Sequence, residues 1–139
     1  MGKTAYQGHP QVPLSKAVRA GDFVFTSAYG PWVFDPRDVV FDDEGRILDD
    51  GTGKADTPFD EQVRLTFGLI EEALAAAGCG LGDVVDCQVW LSDARDFARF
   101  NGIYREYFPH DPPVRSVFPQ TFMFLCKVEM KVVAYRPIA

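Results

Sequence analysis

Alternating apolar and polar residues predict five strands in this chain, and helical spacing predicts two helices. Residues 15–30, SKAVRAGDFVFTSAYG, contain two strand-like pieces around a turn signal at residues 20–22, which predicts a β-hairpin. Residues 83–93, DVVDCQVWLSD, alternate throughout, so they predict a strand with Val85, Cys87, Val89 and Leu91 on one face. Two further strands are predicted over residues 114–118 and 126–135.

The two predicted helices differ from the strands in the spacing of their apolar residues. Residues 57–78 carry an apolar stripe at helical spacing, formed by Phe59, Val63, Phe67, Ile70, Leu74 and Ala77. Thr57 is predicted to cap this helix, because its hydroxyl can accept from a free backbone N–H group. The second helix, residues 94–108, follows a cap at Ser92 or Asp93.

The remaining residues give weaker signals. Residues 1–13 form a polar lead that is predicted to be extended. Residues 31–56 are the least regular part, although residues 39–41 and 46–48 are predicted to pair as a small hairpin. The acidic residues of this segment lack the ligand spacing of an EF-hand loop, so they predict a solvated loop and not a calcium site.

This order of elements predicts one α+β domain spanning residues 1–139, with a mixed sheet and both helices on one face. The other face of the sheet is harder to explain. It carries residues that fall on mixed or polar faces, namely Trp90, Arg115, Val117, Glu129 and Val133. Such a face indicates cover by another subunit, and we therefore predict a homo-oligomer.

Composition and charge limit the possible partners. The net charge is −6 and the sequence pI is about 4.8, which argues against broad binding to nucleic acids or anionic membranes. The three cysteines form no CxxC pair, so a reducing compartment is expected. The N-terminus has no apolar core typical of a signal peptide, and no apolar run is long enough to span a membrane. These features predict a soluble, cytoplasmic protein.

Several common classes of active site are not predicted by the sequence. The two histidines, His9 and His110, are far apart and form no ligand cluster with a cysteine, so no metal site is expected. Cys87 and Cys126 fall on apolar strand faces, and Cys79 falls at a helix C-terminus, so none is predicted to be a reactive nucleophile. Motifs of nucleotide binding and of serine nucleophiles are absent.

Arg115 and Glu129 remain as candidates for chemistry. The short segment between the last two predicted strands suggests antiparallel neighbours, which would put both side chains on one sheet face. Taken alone, the periodicity favours a cross-strand ion pair. The alternative is a carboxylate-binding site, because the planar guanidinium of an arginine can donate two charge-assisted hydrogen bonds to a carboxylate.

Four stretches together resemble one known family. They are PLSKAVRAGDFVFTSAYGP at residues 13–31, the segment from QVRLTFG to IYREYF at residues 62–108, PPVRSVF at residues 112–118 and KVEMKVVAY at residues 127–135. In turn they resemble the N-terminal hairpin, the helix–strand–helix centre, the Pro-x-Arg-Ser motif and the terminal Val-Glu strand of the RidA (YjgF-type, L-PSP) family of enamine and imine deaminases. The resemblance covers nearly everything except residues 31–56.

The resemblance implies a chorismate-mutase-like fold, a homotrimer and clefts at the subunit interfaces. It implies that Arg115 binds the carboxylate of a reactive 2-imino acid or its enamine, and that Glu129 positions or activates the attacking water. By the same resemblance, the backbone at Val117 contacts the ligand, and Ser27 corresponds to the serine of the family hairpin. Hydrolysis would release ammonia and a 2-oxo acid, with no cofactor.

The sequence also departs from the family pattern. Related deaminases often carry a tyrosine where this chain has Leu14, and a cysteine where it has Val117. The segment 31–56 is longer than in short family members, and Phe118, Phe122 and Phe124 make the surroundings of the motif more aromatic. These departures suggest a larger substrate, of the 2-aminomuconate type. The alternatives are a regulatory trimer that binds a small carboxylate without catalysis and, more weakly, a ribonuclease.

Overall fold

The computed structural model of this chain contains a six-stranded mixed sheet with two α-helices on one face. It describes residues 2–8, 12–31, 40–44, 47–49, 57–123 and 126–138. The strands of the main sheet are β1 (Thr4–Gln7), β2 (Ser15–Ala20), β3 (Phe23–Thr26), β6 (Val84–Leu91), β7 (Val114–Pro119) and β8 (Val128–Tyr135). A separate pair joins β4 (Val40–Phe41) to β5 (Ile47–Asp49), and the helices are α1 (Phe59–Ala76) and α2 (Phe97–Tyr107).

The strand order across the main sheet is β1-β2-β3-β8-β6-β7. The neighbours β6 and β7 are parallel, and the other neighbouring strands are antiparallel. Two parallel neighbours need a crossover connection, which α2 provides between β6 and β7. The predicted mixed sheet with two helices is therefore confirmed.

The core lies between α1 and the sheet. The apolar stripe predicted for α1 is buried throughout, from Phe59 to Ala77. The sheet contributes the inward residues of three central strands, among them Val24, Cys87, Val89, Leu91, Val128, Met130 and Val132. The apolar positions that the helical spacing predicts are therefore the positions through which α1 packs on the sheet.

The start of α1 differs from the prediction. The N-terminal capping residue is Pro58, and no side chain caps this helix end. Thr57 contributes its carbonyl oxygen, which accepts a hydrogen bond of 2.9 Å from Nε2 of Gln62. The Oε1 atom of the fully buried Gln62 accepts from the backbone N–H of Lys127 at 2.8 Å. This one side chain therefore fastens the start of α1 to the residue before β8.

The face of β6 also differs from the prediction at its first residues. The register with β8 shifts between Val84 and Asp86, so that Val84 faces the core and Val85 is 42% exposed. Simple alternation predicts that Val85 faces the core and Val84 faces outwards. A bulge adds one residue to a strand and reverses the alternation on one side of it, which a residue pattern does not reveal.

The N-terminal lead forms more structure than expected. Residues 4–7 pair with β2 as the edge strand β1, whereas the sequence predicted only an extended segment. The hairpin of β2 and β3 is confirmed, as is a small hairpin near residues 39–48, seen as β4 and β5. The rest of the irregular segment 31–56 lies mostly outside the described residues.

The predicted contact between the last two strands is wrong. β7 and β8 are not neighbours, because β6 lies between them. From β6 the chain passes through α2 and enters β7, which pairs with the edge of β6 that faces away from β8. β8 pairs with both β6 and β3. This arrangement decides where Arg115 and Glu129 lie relative to each other.

Candidate functional site

Arg115 lies on the helix side of the edge strand β7. The strand register aligns Arg115 with Cys87 of β6, and the fully buried Cys87 faces the core. Aligned residues on neighbouring strands point to the same face of a sheet, so Arg115 is directed towards α2. There its Nη1 atom donates a hydrogen bond of 2.8 Å to Oδ1 of Asn101.

Three aromatic rings of α2 surround the guanidinium of Arg115. Its Cζ atom lies 4.8 Å from the ring centroid of Tyr104, 5.7 Å from that of Phe97 and 6.0 Å from that of Phe100. At these distances the π-faces attract the cation, and the rings restrict its movement. The guanidinium is therefore half-buried and held by neutral groups, without a carboxylate partner among the described residues.

A cleft of about 270 Å³ opens beside this arginine. Its lining comes from α2, the α2–β7 loop and β7, namely Asn101, Tyr104, Arg105, Phe108, Pro112, Pro113 and Arg115. The loop turns through Asp111, which has a left-handed backbone conformation with φ of 47°. This conformation and the two prolines fix the rim of the cleft. A small anion with an apolar body fits such a lining.

Glu129 lies on the opposite face of the sheet. It is aligned with Trp90, which is three residues along β6 from Cys87 and therefore points the other way. Glu129 is half-buried, and this burial raises the pKa of its carboxyl group to about 7 from the ordinary 4.5. A carboxylate with this pKa can accept a proton near neutral pH. Within one chain, however, it does not face the cleft of Arg115.

Val117 and Phe118 are split between the two faces. Val117 is aligned with Val89, so it shares the face of Arg115 and packs partly buried against the core. Phe118 is aligned with Trp90 on the face of Glu129, and it is 47% exposed. Only Val117 shares the sheet face of Arg115, and neither residue belongs to the lining of the cleft.

Leu14 and Ser27 lie far from the cleft within one chain. Leu14 precedes β2 and is 42% exposed, and Ser27 follows β3. β3 is separated from β7 by β8 and β6, which is a lateral distance of about 14 Å at the usual strand spacing. The Ser27 hydroxyl donates to the Ser15 carbonyl oxygen at 2.6 Å. The structure thus groups Arg115 with Val117 and leaves the other predicted residues apart.

The cysteines and histidines offer little chemistry in the described part of the chain. Burial raises the pKa of the Cys87 thiol to about 12, and burial also raises the pKa of Cys79. Among the described residues, no three His, Cys, Asp or Glu side chains converge as metal ligands. His110 is exposed, and His9 lies outside the described residues. No helix in the described ranges has the length and apolar character needed to cross a membrane.

Sequence reasoning missed three residues of α2 that line the cleft. Asn101, Tyr104 and Arg105 are spaced so that they share one face of the helix. The order of elements could have indicated them, because a helix that connects two parallel strands packs beside the second strand, as α2 packs beside β7. It was overlooked since the prediction placed β7 next to β8.

Comparison with known proteins identifies the family. The model of the family described as Endoribonuclease L-PSP matches residues 6–136. A RutC family protein from Pyrococcus horikoshii is 33% identical over 132 residues, which cover 91% of this chain and 90% of that protein. An Escherichia coli protein, TdcF, is 30% identical over 83 residues, covering 58% of this chain and 64% of its own. Its name designates it provisionally as a reactive intermediate deaminase.

Solved structures agree with this assignment. The crystal structure of Escherichia coli TdcF with bound serine has a TM-score of 0.69 and 26% identity, and the match covers 90% of this chain and 89% of that one. A yeast structure has a TM-score of 0.75 at 19% identity, covering 97% of this chain and 99% of its own, which shows the shared fold alone. This chain therefore belongs to the Endoribonuclease L-PSP family, the RidA (YjgF-type) family that its sequence motifs resemble.

Proposed function

We propose that this protein is a hydrolytic deaminase of 2-imino acids and their enamines. The observation that carries this proposal is the half-buried Arg115, which faces an open cleft and is held by Asn101 and by aromatic rings. A guanidinium positioned by neutral groups keeps its charge available for a ligand carboxylate. Family membership supports the proposal, as does a relative whose name refers to reactive intermediate deamination.

The proposed reaction needs only positioning and one proton acceptor. Arg115 binds the carboxylate and orients the neighbouring C=N carbon. Water attacks this carbon and gives up a proton, which the acceptor returns to the nitrogen as the C=N double bond becomes a single bond; the remaining hydroxyl proton later leaves with ammonia. The C–N bond then breaks, ammonia leaves and a C=O bond forms. Nothing is oxidised or reduced, so the step requires no cofactor.

Glu129 is the proposed acceptor of the proton from water. Its pKa of about 7 suits that role near neutral pH. Because its side chain lies on the other sheet face from Arg115, we propose that the Glu129 serving one cleft belongs to a neighbouring subunit. The same neighbour would bring Leu14 and Ser27 to the cleft, while Phe118 and the backbone of Val117 belong to the strand that carries Arg115.

A homotrimer is the assembly that we propose for this arrangement. The sheet face opposite the helices exposes apolar side chains that an isolated subunit would leave in water, namely Phe23, Phe25, Phe118 and Tyr135. An apolar sheet face of this kind favours association with other copies. Cys79 and Cys87 carry free thiols, which fit a reducing compartment, and we propose the cytoplasm.

The proposed substrate is a 2-imino acid larger than 2-iminopropanoate, of the 2-aminomuconate type. Leu14 lacks the hydroxyl that related deaminases often have at this position, and it leaves an exposed apolar side chain. Solved TdcF carries bound serine, a small molecule with a carboxylate. A carboxylate is the part of the ligand that Arg115 would recognise.

Two alternative functions can be distinguished from the deaminase by experiment. A regulatory trimer would bind carboxylates through Arg115 without turnover. A ribonuclease would match the printed name of the family, yet the net charge of −6 opposes binding to an RNA backbone. Negligible RNA binding at low salt would dispose of this activity.

A coupled assay tests the deaminase proposal. An amino-acid oxidase generates imino acids of graded size in situ, and ammonia release is measured with and without the protein. We expect acceleration by the wild type, loss of it in Arg115→Ala, and only partial recovery in Arg115→Lys, which keeps the charge but not the planar fork. Unchanged activity in Arg115→Ala would refute the proposed anchor. Carboxylate binding without any turnover would favour the regulatory alternative.

A further inference from the structure

A cluster of aromatic rings joins α1 to α2 beside the cleft. It consists of Phe67 of α1, Phe100, Tyr104 and Tyr107 of α2, and Phe108, which directly follows α2. Tyr104 and Phe108 also line the cleft of Arg115, where they provide its aromatic wall. The rings that a ligand would contact are therefore also part of the packing between the two helices.

Phe67 contacts both rings of this aromatic wall. Its ring centroid lies 6.1 Å from that of Tyr104 and 5.9 Å from that of Phe108, and the second pair meets edge to face. Tilted and edge-to-face rings at such distances attract each other. Phe67 has no exposed surface and does not line the cleft. It therefore supports the wall from the protein interior and reaches a ligand only through Tyr104 and Phe108.

Further contacts hold the two parts of the cluster in place. The ring of Phe67 stacks on that of Tyr107, with centroids 3.9 Å apart and an angle of 2° between the planes. The ring centroid of Tyr104 lies 4.8 Å from that of Phe108 and 5.5 Å from that of Phe100. In a close-packed interior, rings in such contact have little free space into which to move. The aromatic wall is therefore fixed as long as the Phe67 ring is present.

Two ion pairs also connect the helices, and these are exposed. Nη2 of Arg64 lies 2.8 Å from Oε2 of Glu106, and Arg99 pairs with Asp60. Between 43% and 64% of each of the four side chains is accessible to solvent. Water and salt weaken exposed ion pairs. The buried rings therefore contribute more than these charges to the position of α2 beside the cleft.

We propose that Phe67 is a positioning residue that sets the size of the side chain admitted to the cleft. By holding Tyr104 and Phe108 from the interior, it fixes the space beside Arg115 into which the side chain of a bound imino acid extends. A leucine in place of Phe67 lacks the flat ring, so the aromatic wall can move towards α1 and the cleft deepens. This inference rests on the proposed deaminase function and adds to it the control of substrate size.

The test compares imino acids that differ only in the length of an unbranched side chain. An amino-acid oxidase forms the shorter one from 2-aminobutyrate and the longer one from norleucine, and ammonia release gives kcat/KM for each. In Phe67→Leu, we expect the ratio of the longer to the shorter substrate to rise about 10-fold over that of the wild type, because space for one more methylene group changes transition-state affinity by about that factor or more. Phe67→Met, which nearly conserves the volume but not the flat ring, should shift the ratio in the same direction and serves if Phe67→Leu does not fold.

Leu74→Ala is the matched control, because it also removes volume from a fully buried residue of α1, seven residues beyond Phe67 and outside the lining of the cleft. We expect this variant to lower the Tm, as Phe67→Leu does, and to leave the substrate ratio unchanged. An equal rise of the ratio in Leu74→Ala would show that general loosening of the core controls the size of the cleft. An unchanged ratio in the folded Phe67 variants would overturn the proposal.

Binding of unreactive carboxylates separates this proposal from the deaminase proposal. Butanoate and hexanoate carry the same two chain lengths as the imino acids, and NMR titration gives the Kd of each. A shift of the Kd ratio towards hexanoate in Phe67→Leu, together with no turnover by the wild type, would refute the deaminase alone. Turnover by the wild type, with substrate and Kd ratios that the Phe67 variants leave unchanged, would refute the positioning role of Phe67 alone.

Discussion

Nη1 of Arg115 donates to Oδ1 of Asn101 at 2.8 Å, across the gap between an edge strand and its crossover helix. The acceptor is a neutral amide, so the bond orients the guanidinium without cancelling its charge. Oriented in this way, Arg115 keeps its other N–H groups for a ligand. Asn101 is therefore a positioning residue for the guanidinium of Arg115.

Replacing Asn101 by aspartate is predicted to disable the site while conserving its shape. Asn101→Asp places a carboxylate 2.8 Å from Nη1, and the resulting ion pair competes with the ligand. We expect the KM for imino acids to rise about 10-fold or more, with a smaller change in kcat. Steady-state kinetics over a range of substrate concentrations would measure both effects.

Two further variants control for charge and for the lost hydrogen bond. Ala98→Asp adds the same charge to an exposed position of α2 outside the cleft lining, and we expect its KM to stay near that of the wild type. Asn101→Ala removes the hydrogen bond without adding charge, and its KM should lie between those of the wild type and Asn101→Asp. An equal rise in KM for Ala98→Asp would contradict a local role for Asn101.

Tyr104 is predicted to act through its ring and not through its hydroxyl group. Its ring centroid lies 4.8 Å from Cζ of Arg115, whereas its buried hydroxyl meets only the weakly polar thiol of Cys87. Tyr104→Phe should retain carboxylate binding and change the free energy of unfolding by no more than about 1 kcal/mol, because the buried hydroxyl that is removed has only a weak thiol partner. Tyr104→Leu should weaken binding and destabilise the protein by about 2 kcal/mol or more. Urea denaturation and calorimetry would measure these changes, and loss of binding in Tyr104→Phe would assign the hydroxyl a role.

Much of the fold follows from the sequence pattern. The apolar stripe from Phe59 to Ala77 defined α1, and the turn at residues 20–22 defined the hairpin of β2 and β3. The face of β6 was wrong at Val85, because the bulge there depends on pairing with β8. The edge strand β1 was missed because its exposed residues carry no alternating pattern and its pairing is decided by β2.

The site was harder to predict than the fold. Arg115 stood out from the sequence because a polar residue interrupts a strand, yet its partner was assigned to Glu129 instead of Asn101. That choice followed from the order of strands in the chain, whereas the sheet inserts β6 between β7 and β8. The order of strands in a sheet depends on long-range packing, and local spacing does not encode it.

The proposed division of the site between subunits predicts complementation. Arg115→Ala and Glu129→Gln each remove one functional group, and each variant should be inactive alone. If each site takes Arg115 from one subunit and Glu129 from its neighbour, mixed trimers refolded from equal amounts would regain about a quarter of the wild-type sites. Ammonia release by the mixture measures this recovery. A mixture as inactive as its parents would indicate that both residues act within one subunit.

Glu129 is also predicted to make stability depend on pH. Burial raises the pKa of its carboxyl group from 4.5 to about 7, so the folded state holds the proton more tightly than the unfolded state. The stability that this proton contributes is complete below pH 4.5 and is lost as the pH rises through about 7. Glu129→Gln remains neutral, so its Tm should exceed that of the wild type at pH 8, and the difference should shrink towards pH 5.

The matched control for this prediction is Glu71→Gln, which removes a carboxylate from an exposed position of α1. Comparing its Tm with that of the wild type at pH 5 and pH 8 separates the effect of burying a carboxylate from that of removing one negative charge from the protein surface. The Tm values are measured by calorimetry at equal protein concentration, and light scattering checks the oligomeric state. These controls are needed because a change in subunit association would also shift the Tm. A Tm difference for Glu129→Gln that is constant across this range would show that the Glu129 carboxylate titrates alike in the folded and unfolded protein. That result would contradict the raised pKa of Glu129 and, with it, the proposal that Glu129 accepts a proton at neutral pH.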